Sequence, residues 1–295
     1  MTLSGIAAAL SAGCFSASLG ATALAAPGPT PPAPTPASSP SSSSAASSGA
    51  SQAEARTLFD KAVAALGGKE KIAAVRDVRT RGQVSAKTES GELNMSMETT
   101  MVFPDRLAQQ VDGPYGRFAM IATPASAYIL TDKGPKDLPT PMRDELLRQV
   151  TRTAFFLVQN ADDPKFKLAL GGGEETVGDV QTRALDVSYG GVSVRWFVDP
   201  ASGRILRSSH DSISPAGKSV HIVSDFSDFK TADGVTLPYK IQVKTENEPD
   251  QAVVLEEIKI NPGVDPGLFV RPAEPTGPAP AGPTPPAPVT PKPKA

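Results

Sequence analysis

The chain has 295 residues, a formal net charge of −2 and a pI of about 5.8. Its basic residues are scattered, which excludes the basic stripe that nucleic-acid-binding proteins present. No run of eighteen apolar residues follows the first thirty residues, so we predict a soluble body without a membrane-spanning helix.

Residues 1–26 have the composition of an export signal peptide. Ile6 to Leu24 is rich in Ala, Leu and small residues, and Ala23-Leu24-Ala25 has the small-x-small pattern that signal peptidase needs. Met1 to Gly5 carries no Lys or Arg, which a start codon further upstream would explain. We therefore predict cleavage near Ala25 or Ala26 and a periplasmic protein.

A lipoprotein signal is the alternative. Ser11-Ala12-Gly13-Cys14 approximates the site at which bacterial lipoproteins are cut and acylated, and acylation of Cys14 would anchor the protein to the outer membrane. Cys14 is the only cysteine in the chain, so cleavage near Ala25 would leave a mature protein without disulfides or thiol chemistry.

Two tails flank one predicted domain. Residues 27–50 contain Pro, Ala, Ser, Thr and Gly without any charge, and residues 273–295 are again rich in Pro and Ala. Neither tail can bury enough apolar surface to offset the entropy of ordering it, so we predict that both are disordered. Residues 51–272 remain as a single domain with one substantial core.

The first predicted element of this domain is a helix over residues 51–66. Ser51 is a plausible N-cap, with Glu54 three residues later in the capping-box position. Gly67-Gly68 predicts the end of the helix, since glycine adopts the left-handed C-cap conformation without strain. A short second helical turn is predicted over Lys69 to Ala74.

From Val75 the apolar period changes from 3.6 to 2, which predicts strands over 78–86 and 93–103. The odd positions of the second strand form one apolar face that is rich in methionine, a flexible and polarisable side chain. This Met face consists of Leu93, Met95, Met97, Thr99, Met101 and Phe103. It predicts either an ordinary sheet core or the wall of a cavity for an apolar ligand.

Short strands follow at 106–111, 117–122 and 127–131, joined by connections too short for crossovers, which predicts an antiparallel meander. Residues 140–160 then predict one long amphipathic helix, with Thr140 as its cap and Pro141 at its first position. Its wide apolar face should pack against the Met face.

After Pro164 the pattern is strand throughout, with a tight hairpin at Gly190-Gly191. The predicted strands cover 166–170, 183–189, 192–198, 204–213, 219–229, 236–245 and 252–260. The predicted fold class is therefore α+β, mostly β: a large curled antiparallel sheet, an open half-barrel, with two or three helices covering its concave face.

Catalytic motifs are not evident. His210 and His221 have no nearby cysteine and no helical His pairing, so we predict neither a zinc site nor any other metal site. Gly171-Gly172-Gly173 lacks the Lys-Ser/Thr of a phosphate-binding loop and is predicted to be an ordinary loop. We predict no cofactor, no catalytic residue and a protein that is not an enzyme.

Four stretches taken together carry a resemblance to a known family. They are Ala65–Ile72 leading into a strand with Gly82, Val102–Arg106, Phe197–Leu206, and Phe226–Pro238. In this order they resemble bacterial outer-membrane lipoprotein-sorting proteins, LolA/LolB-like relatives of the periplasmic lipoprotein carriers. The resemblance covers residues 55–272 and implies an open β half-barrel lined with apolar side chains, which in the carriers receives lipoprotein acyl chains.

We therefore expect a non-enzymatic, monomeric periplasmic protein that binds a lipid or lipoprotein acyl chain in an apolar cavity. The alternative is an envelope scaffold or sensory module that binds a protein partner and fills the cavity with its own helix. The candidate cavity residues are Leu93, Met95, Met97, Met101, Phe103, Phe118, Met120, Tyr128, Phe155, Phe156 and Trp196.

Overall fold

A computed structural model describes residues 43–88, 91–214, 217–246 and 248–273, with side chains from Ala50 onward. The predicted signal peptide with Cys14, residues 27–42 of the predicted linker and residues 274–295 of the C-terminal tail lie outside these ranges.

The described residues form one antiparallel sheet of thirteen strands. In chain order these are β1 Asp77–Thr88, β2 Gly91–Val102, β3 Arg106–Gly113, β4 Gly116–Ala122, β5 Ala127–Thr131, β6 Gly134–Asp137, β7 Lys167–Val177, β8 Val180–Tyr189, β9 Val192–Val198, β10 Ile205–Ile213, β11 Ser219–Ala232, β12 Val235–Thr245 and β13 Gln251–Ile260. The sheet is open, with β6 and β7 at its edges, and helices cover its concave face. The predicted fold class is confirmed.

Two meanders build this sheet. Strands β1 to β6 run outward to one edge, and β7 to β13 run inward from the other edge, so that β13 pairs with β1. In this seam Val78 lies opposite Ile260. The segment between β6 and β7 carries two helices and joins the two edges across the sheet.

Four α-helices accompany the sheet in the described residues, with a 3₁₀ turn at Pro266–Phe269. The helices are α1 Ser43–Leu66, α2 Lys69–Ala73, α3 Thr140–Thr151 and α4 Ala154–Gln159. None of the helices in this part of the chain combines the length and apolarity needed to span a bilayer.

The start of α1 differs from the sequence prediction. The helix begins at Ser43, so Ser51 is an internal, exposed position rather than an N-cap. The preceding stretch contains three alanines, the strongest helix former, and can therefore continue the helix toward the N-terminus. The predicted end is correct: Gly67 and Gly68 both have positive φ, at 124° and 94°.

The predicted single helix over residues 140–160 is two helices. Thr153 is extended, with φ −66° and ψ 149°, and its side chain accepts a hydrogen bond from the Phe156 amide at 3.3 Å. Threonine is a weak helix former and a good N-cap, so it begins α4 instead of continuing α3. At the other end, Pro139 rather than Thr140 occupies the N-cap of α3.

Two strand predictions also need correction. β6 was missed, because Gly134–Asp137 has no apolar alternation. Residues 171–173, predicted to be a loop, lie inside β7, whose pairing with β8 shifts between Leu170 and Glu174. A Cβ atom on Gly171 would lie 2.6 Å from the Ala184 Cβ, so this bulge needs glycine for its close approach to β8.

The concave face carries two apolar cores. In the first, which we call the α1 core, α1, α2 and α4 pack on β7 to β9, and the rings of Phe59 and Trp196 stack with their centroids 5.9 Å apart. In the second, the Met core, fully buried Leu146 and Val150 of α3 pack against the Met face. Met95 is 5% exposed, so the Met face points inward as predicted.

Candidate functional site

An apolar cavity of about 280 Å³ lies between the helices and the concave face. Its helical walls come from α1 and from the junction of α3 with α4. Its sheet wall comes from the central strands β1, β2 and β9 to β13. The side chains that define it include Ala62, Leu66, Met101, Thr153, Phe155, Trp196, Ile205, Phe226, Phe229, Leu237, Ile241 and Leu255.

The cavity lies where the two cores meet. Phe103 and Leu255 pack against both cores, and the break at Thr153 falls above this boundary. A continuous helix would carry apolar side chains across the gap, whereas the break turns the chain and places Arg152, Thr153 and Ala154 along the cavity. The helix break therefore forms part of the cavity wall.

The sheet wall of the cavity has a local irregularity in β11. Phe226 and Phe229 both line the cavity, although residues three apart on a regular strand face opposite sides. Asp228 between them has a positive φ of 52°, which interrupts the alternation. The Arg204 guanidinium lies 5.2 Å from the centroid of the Phe229 ring, so an exposed cation borders this end of the cavity.

The turn between β9 and β10 closes the cavity against α1. Gly203 in this turn has a φ of 74°, and a Cβ atom there would lie 2.5 Å from the Lys61 carbonyl oxygen. Any larger residue would push the turn away from α1. Glycine at this position therefore sets the distance between the helix and the cavity wall.

A buried ionic network meets the cavity at Arg152. Glu145 of α3 is 1% exposed and accepts hydrogen bonds from Arg152 Nη1 at 2.5 Å, Arg148 Nη1 at 2.9 Å and Ser212 Oγ at 2.8 Å. Arg152 Nη2 also donates to the Asp211 carbonyl oxygen at 2.9 Å. Burial alone would raise the pKa of Glu145, but its three hydrogen-bond partners outweigh burial and lower that pKa below 4.5.

Beyond this network lies a polar cleft of about 640 Å³. It forms where β9 and β10 separate: their pairing ends at Ser209 opposite Arg195, while β10 continues to Ile213. Arg152 lines both the cleft and the apolar cavity, so the two spaces are neighbours across one side chain.

His210 lies in this cleft and its side chain is largely buried. Burial, reinforced by the positive charge of Arg152, lowers the pKa of His210 to about 4, so the imidazole is neutral at neutral pH. Across the ranges that the structure describes, no three His, Cys, Asp or Glu side chains are grouped so as to hold a metal ion.

The predicted cavity residues are spread over several environments. Met101, Phe155 and Trp196 line the cavity, and Phe103 packs on Phe155 with ring centroids 5.7 Å apart. The Met core contains the residues Leu93, Met95, Met97, Phe118 and Met120, packed beneath α3.

The remaining two candidates lie elsewhere. Phe156 packs edge-on against Tyr189. Tyr128 packs with Ala108, Ile121 and Phe269 in a cluster separate from the Met core, and the neighbouring Ala127 belongs to the Met core. Tyr128 therefore faces the opposite side of the sheet. Whether any of the candidates binds a ligand stays a prediction.

Sequence reasoning missed most of the cavity wall. Ile205, Phe226 and Leu237 belong to strands whose apolar face was predicted but not assigned to a cavity, and Arg152 was treated as part of a continuous helix. Two of the four stretches that carry the family resemblance, Phe197–Leu206 and Phe226–Pro238, supply much of this wall. The turn residues of these two stretches were the signal in the sequence that could have located this part of the cavity wall.

Comparison with solved structures supports the same architecture. A LolA superfamily protein from Nitrosomonas europaea aligns with a TM-score of 0.50 at 11% identity, covering 74% of this chain and 97% of that one. At this identity the likeness concerns the fold, and it confirms the predicted resemblance at that level.

Two further structures align over a similar extent. A DUF1329 family protein from Desulfovibrio piger has a TM-score of 0.49 at 13% identity, covering 73% of this chain and 97% of that one. A protein domain named for outer membrane lipoprotein sorting, from Vibrio parahaemolyticus, has a TM-score of 0.48 at 10% identity, covering 74% and 97%. Neither a protein-family model nor a curated protein matches the sequence.

Proposed function

We propose that this protein binds a single acyl chain, from a lipid or a lipidated protein, in the cavity between the helices and the concave sheet face, without catalysis. The cavity itself carries the proposal. Its wall is mostly apolar, with Arg152, Arg204 and the hydroxyl side chains of Thr80, Thr153, Ser208 and Thr236 as its polar members, and its volume of about 280 Å³ lies at the lower end of ligand pockets. Such a space suits one chain rather than a bulky ligand.

Burial of methylene groups supplies the binding energy in this proposal. Each CH₂ transferred from water to an apolar wall contributes about 0.8 kcal/mol before the entropy of ordering the chain is subtracted. The half-buried side chains of Leu66, Phe226 and Leu237 line the cavity, so an occupant would cover apolar surface that the protein leaves uncovered. The fold shared with a LolA superfamily protein supports this role.

Trp196 offers a direct test, because it is the only tryptophan and lines the cavity. Titration with a fatty acid is expected to change its fluorescence in a saturable manner, and native mass spectrometry should detect the complex. Ala154→Phe, which fills the cavity, is expected to weaken binding at least tenfold.

Ala64→Phe is the matched control, since Ala64 is exposed on α1 and is not part of the cavity wall. This variant should bind like the wild type. Equal binding by the wild type and the Ala154→Phe protein would contradict the proposed location. A wild type that takes up no chain would contradict the proposal as a whole.

We also propose a periplasmic location, supported by the signal-like composition of residues 1–26. The mass of the mature protein tests it: cleavage near Ala25 would give an unmodified chain released by osmotic shock. A membrane-bound product carrying acyl groups, which Cys14→Ala abolishes, would instead support the lipoprotein alternative.

A protein-binding scaffold is the second candidate. One observation favours it: α3 already covers the Met face, so that half of the concave surface is occupied by the protein's own helix. Capture of a specific envelope protein by a wild type that takes up no fatty acid would support this alternative.

A further inference from the structure

The cavity wall carries positive charge only: among the described residues that line it, Arg152 and Arg204 are charged and none is acidic. We propose that the cavity accepts an amphiphile with an anionic end, a carboxylate or a phosphate, and that Arg204 binds this end where the cavity meets the surface. This inference rests on the proposed function and adds the charge of the headgroup and the residue that recognises it.

Arg204 lies beside a gap in the sheet. Pairing of β10 with β11 begins at Arg207 opposite Asp225, whereas β11 continues beyond this pair to Ala232. Arg204 precedes β10, and its guanidinium lies 5.2 Å from the centroid of the Phe229 ring in the extension of β11. Arg204 lines the cavity and is itself exposed, so the cavity reaches the surface beside this residue.

The two cations of the wall differ in what offsets their charge. Arg152 is paired with the buried carboxylate of Glu145, and its side chain is only 11% exposed. The guanidinium of Arg204 instead lies against an aromatic ring, which attracts a cation without neutralising it. An anionic end therefore gains more at Arg204 than at Arg152, where it would compete with Glu145.

The charges on the elements that border the gap favour an anion as well. Asp199, in the turn before β10, interacts electrostatically with Arg204, and its oxygens accept hydrogen bonds within the turn from a serine hydroxyl at 2.5 Å and a backbone amide at 2.9 Å. Lys61 of α1 donates to a carbonyl oxygen of the same turn at 3.3 Å, and Asp228 of β11 pairs with Lys230 at 3.0 Å. Three cations therefore accompany two carboxylates, a formal net charge of +1 that an anionic ligand would neutralise.

The chemistry of the guanidinium sets the class of anion. Its planar fork of N–H donors matches the paired oxygens of a carboxylate or a phosphate. A fatty acid supplies the first group and a lipid headgroup supplies the second, so the experiment must distinguish these two sources.

Decanoate, decyl phosphate and decanol test the inference, because they share one chain and differ in the charge of its end. Titration below the micelle concentration, at neutral pH and low salt, can be followed by the fluorescence of Trp196. At least one anion is expected to bind about threefold to tenfold more tightly than decanol, a range between that of an exposed ion pair and that of a charge-assisted hydrogen bond. The anion that binds more tightly identifies the source, and added salt should narrow its advantage over decanol.

Arg204→Gln is the decisive variant. Arg204 is exposed, so the substitution should be tolerated, and it removes the charge at the gap. It is expected to lower the affinity for the anion to that for decanol and to leave decanol binding unchanged, whereas Arg204→Lys, which keeps the charge, should retain most of the preference. Arg117→Gln is the matched control: its side chain is 73% exposed, it lies outside the cavity wall, and it lowers the net charge of the protein equally, so the preference should persist.

The outcomes separate the two proposals. Failure of the wild type to bind any of the three compounds would overturn the proposed function. Equal binding of all three, unchanged in Arg204→Gln, would leave acyl binding intact and overturn the anionic headgroup, and a preference that Arg204→Gln retains in full would overturn the role of Arg204. Acetate and inorganic phosphate are expected not to bind; binding of either as strong as that of the ten-carbon anions would show an anion site independent of the chain and overturn the amphiphile arrangement.

Discussion

Arg152 donates a hydrogen bond of 2.5 Å to Glu145, and the two side chains are 11% and 2% exposed. The pair fastens the end of α3 to β10, because Glu145 also binds Ser212 and Arg152 binds the Asp211 carbonyl oxygen. It therefore separates the cavity from the cleft and holds the helix break in place.

Removal of the Arg152 side chain should lower the free energy of unfolding substantially. Arg152→Ala leaves the Glu145 carboxylate buried with fewer partners, and breaking a buried ion pair from one side typically costs about 3–5 kcal/mol of unfolding free energy. Urea unfolding monitored by Trp196 fluorescence measures the loss. Arg148→Ala, which removes a 43% exposed partner of the same carboxylate, should cost less than about 1 kcal/mol. Equal losses of unfolding free energy in Arg152→Ala and Arg148→Ala would contradict this ranking.

Acid should destabilise the protein through Glu145. Its three hydrogen-bond partners overcome the effect of burial and hold its pKa below 4.5, so the ionised form is favoured in the folded state. The contribution is fully present above pH 4.5 and is lost as the pH falls through the lower folded-state pKa. Comparison of urea unfolding at pH 7 and pH 3 should show a smaller loss in Glu145→Gln than in the wild type; an identical loss would disprove this role.

His210 predicts a second dependence at higher pH. Its pKa falls from 6.5 to about 4 in the folded state, so the folded protein favours the neutral ring. The contribution is present above pH 6.5 and is lost as the pH falls toward 4, with a full extent on the order of 3 kcal/mol. In His210→Gln, the change in unfolding free energy between pH 7 and pH 4.5 should be smaller than in the wild type.

His221→Gln serves as the control for this prediction, since the His221 side chain is 52% exposed. The change in pH dependence between pH 7 and pH 4.5 should be larger in His210→Gln than in this variant. If only His221→Gln flattened the curve, the assignment to His210 would be wrong.

Gly203→Ala should loosen the contact between α1 and the cavity. The new Cβ would lie 2.5 Å from the Lys61 carbonyl oxygen at a φ of 74°, so both contact and backbone are strained, at a cost of roughly 1–3 kcal/mol. Gly190 has a similar φ of 57°, and a Cβ atom added there would have nothing within 4 Å. Gly190→Ala therefore measures the cost of the backbone strain alone. Thermal unfolding should rank Gly203→Ala as the less stable variant, and the reverse order would contradict the contact.

The sequence was most informative where apolar and polar residues alternate over a long stretch. Leu93 to Phe103 predicted both a strand and its inward face, and Met95 is indeed buried under α3. Short polar strands such as Gly134–Asp137 have no apolar pattern to detect. The break at Thr153 was hidden because the apolar periodicity of residues 140–160 continues across it.

The cavity could not be predicted by the same reasoning. Periodicity shows that Phe226 and Leu237 face inward, but it does not show whether a helix covers them. That depends on the angle at which α4 leaves α3, which is set by one extended residue, Thr153. Methionine content pointed to the half of the face that α3 fills, and the cavity lies largely on the other half.

The pairing of the first strand with the last has a kinetic consequence. Each meander consists of hairpins between neighbours in sequence, which can close rapidly, whereas Val78 and Ile260 must meet from opposite ends of the domain. Folding of the two halves should therefore precede zipping of the β1–β13 seam, and mutations along that seam should act chiefly on the slowest refolding step.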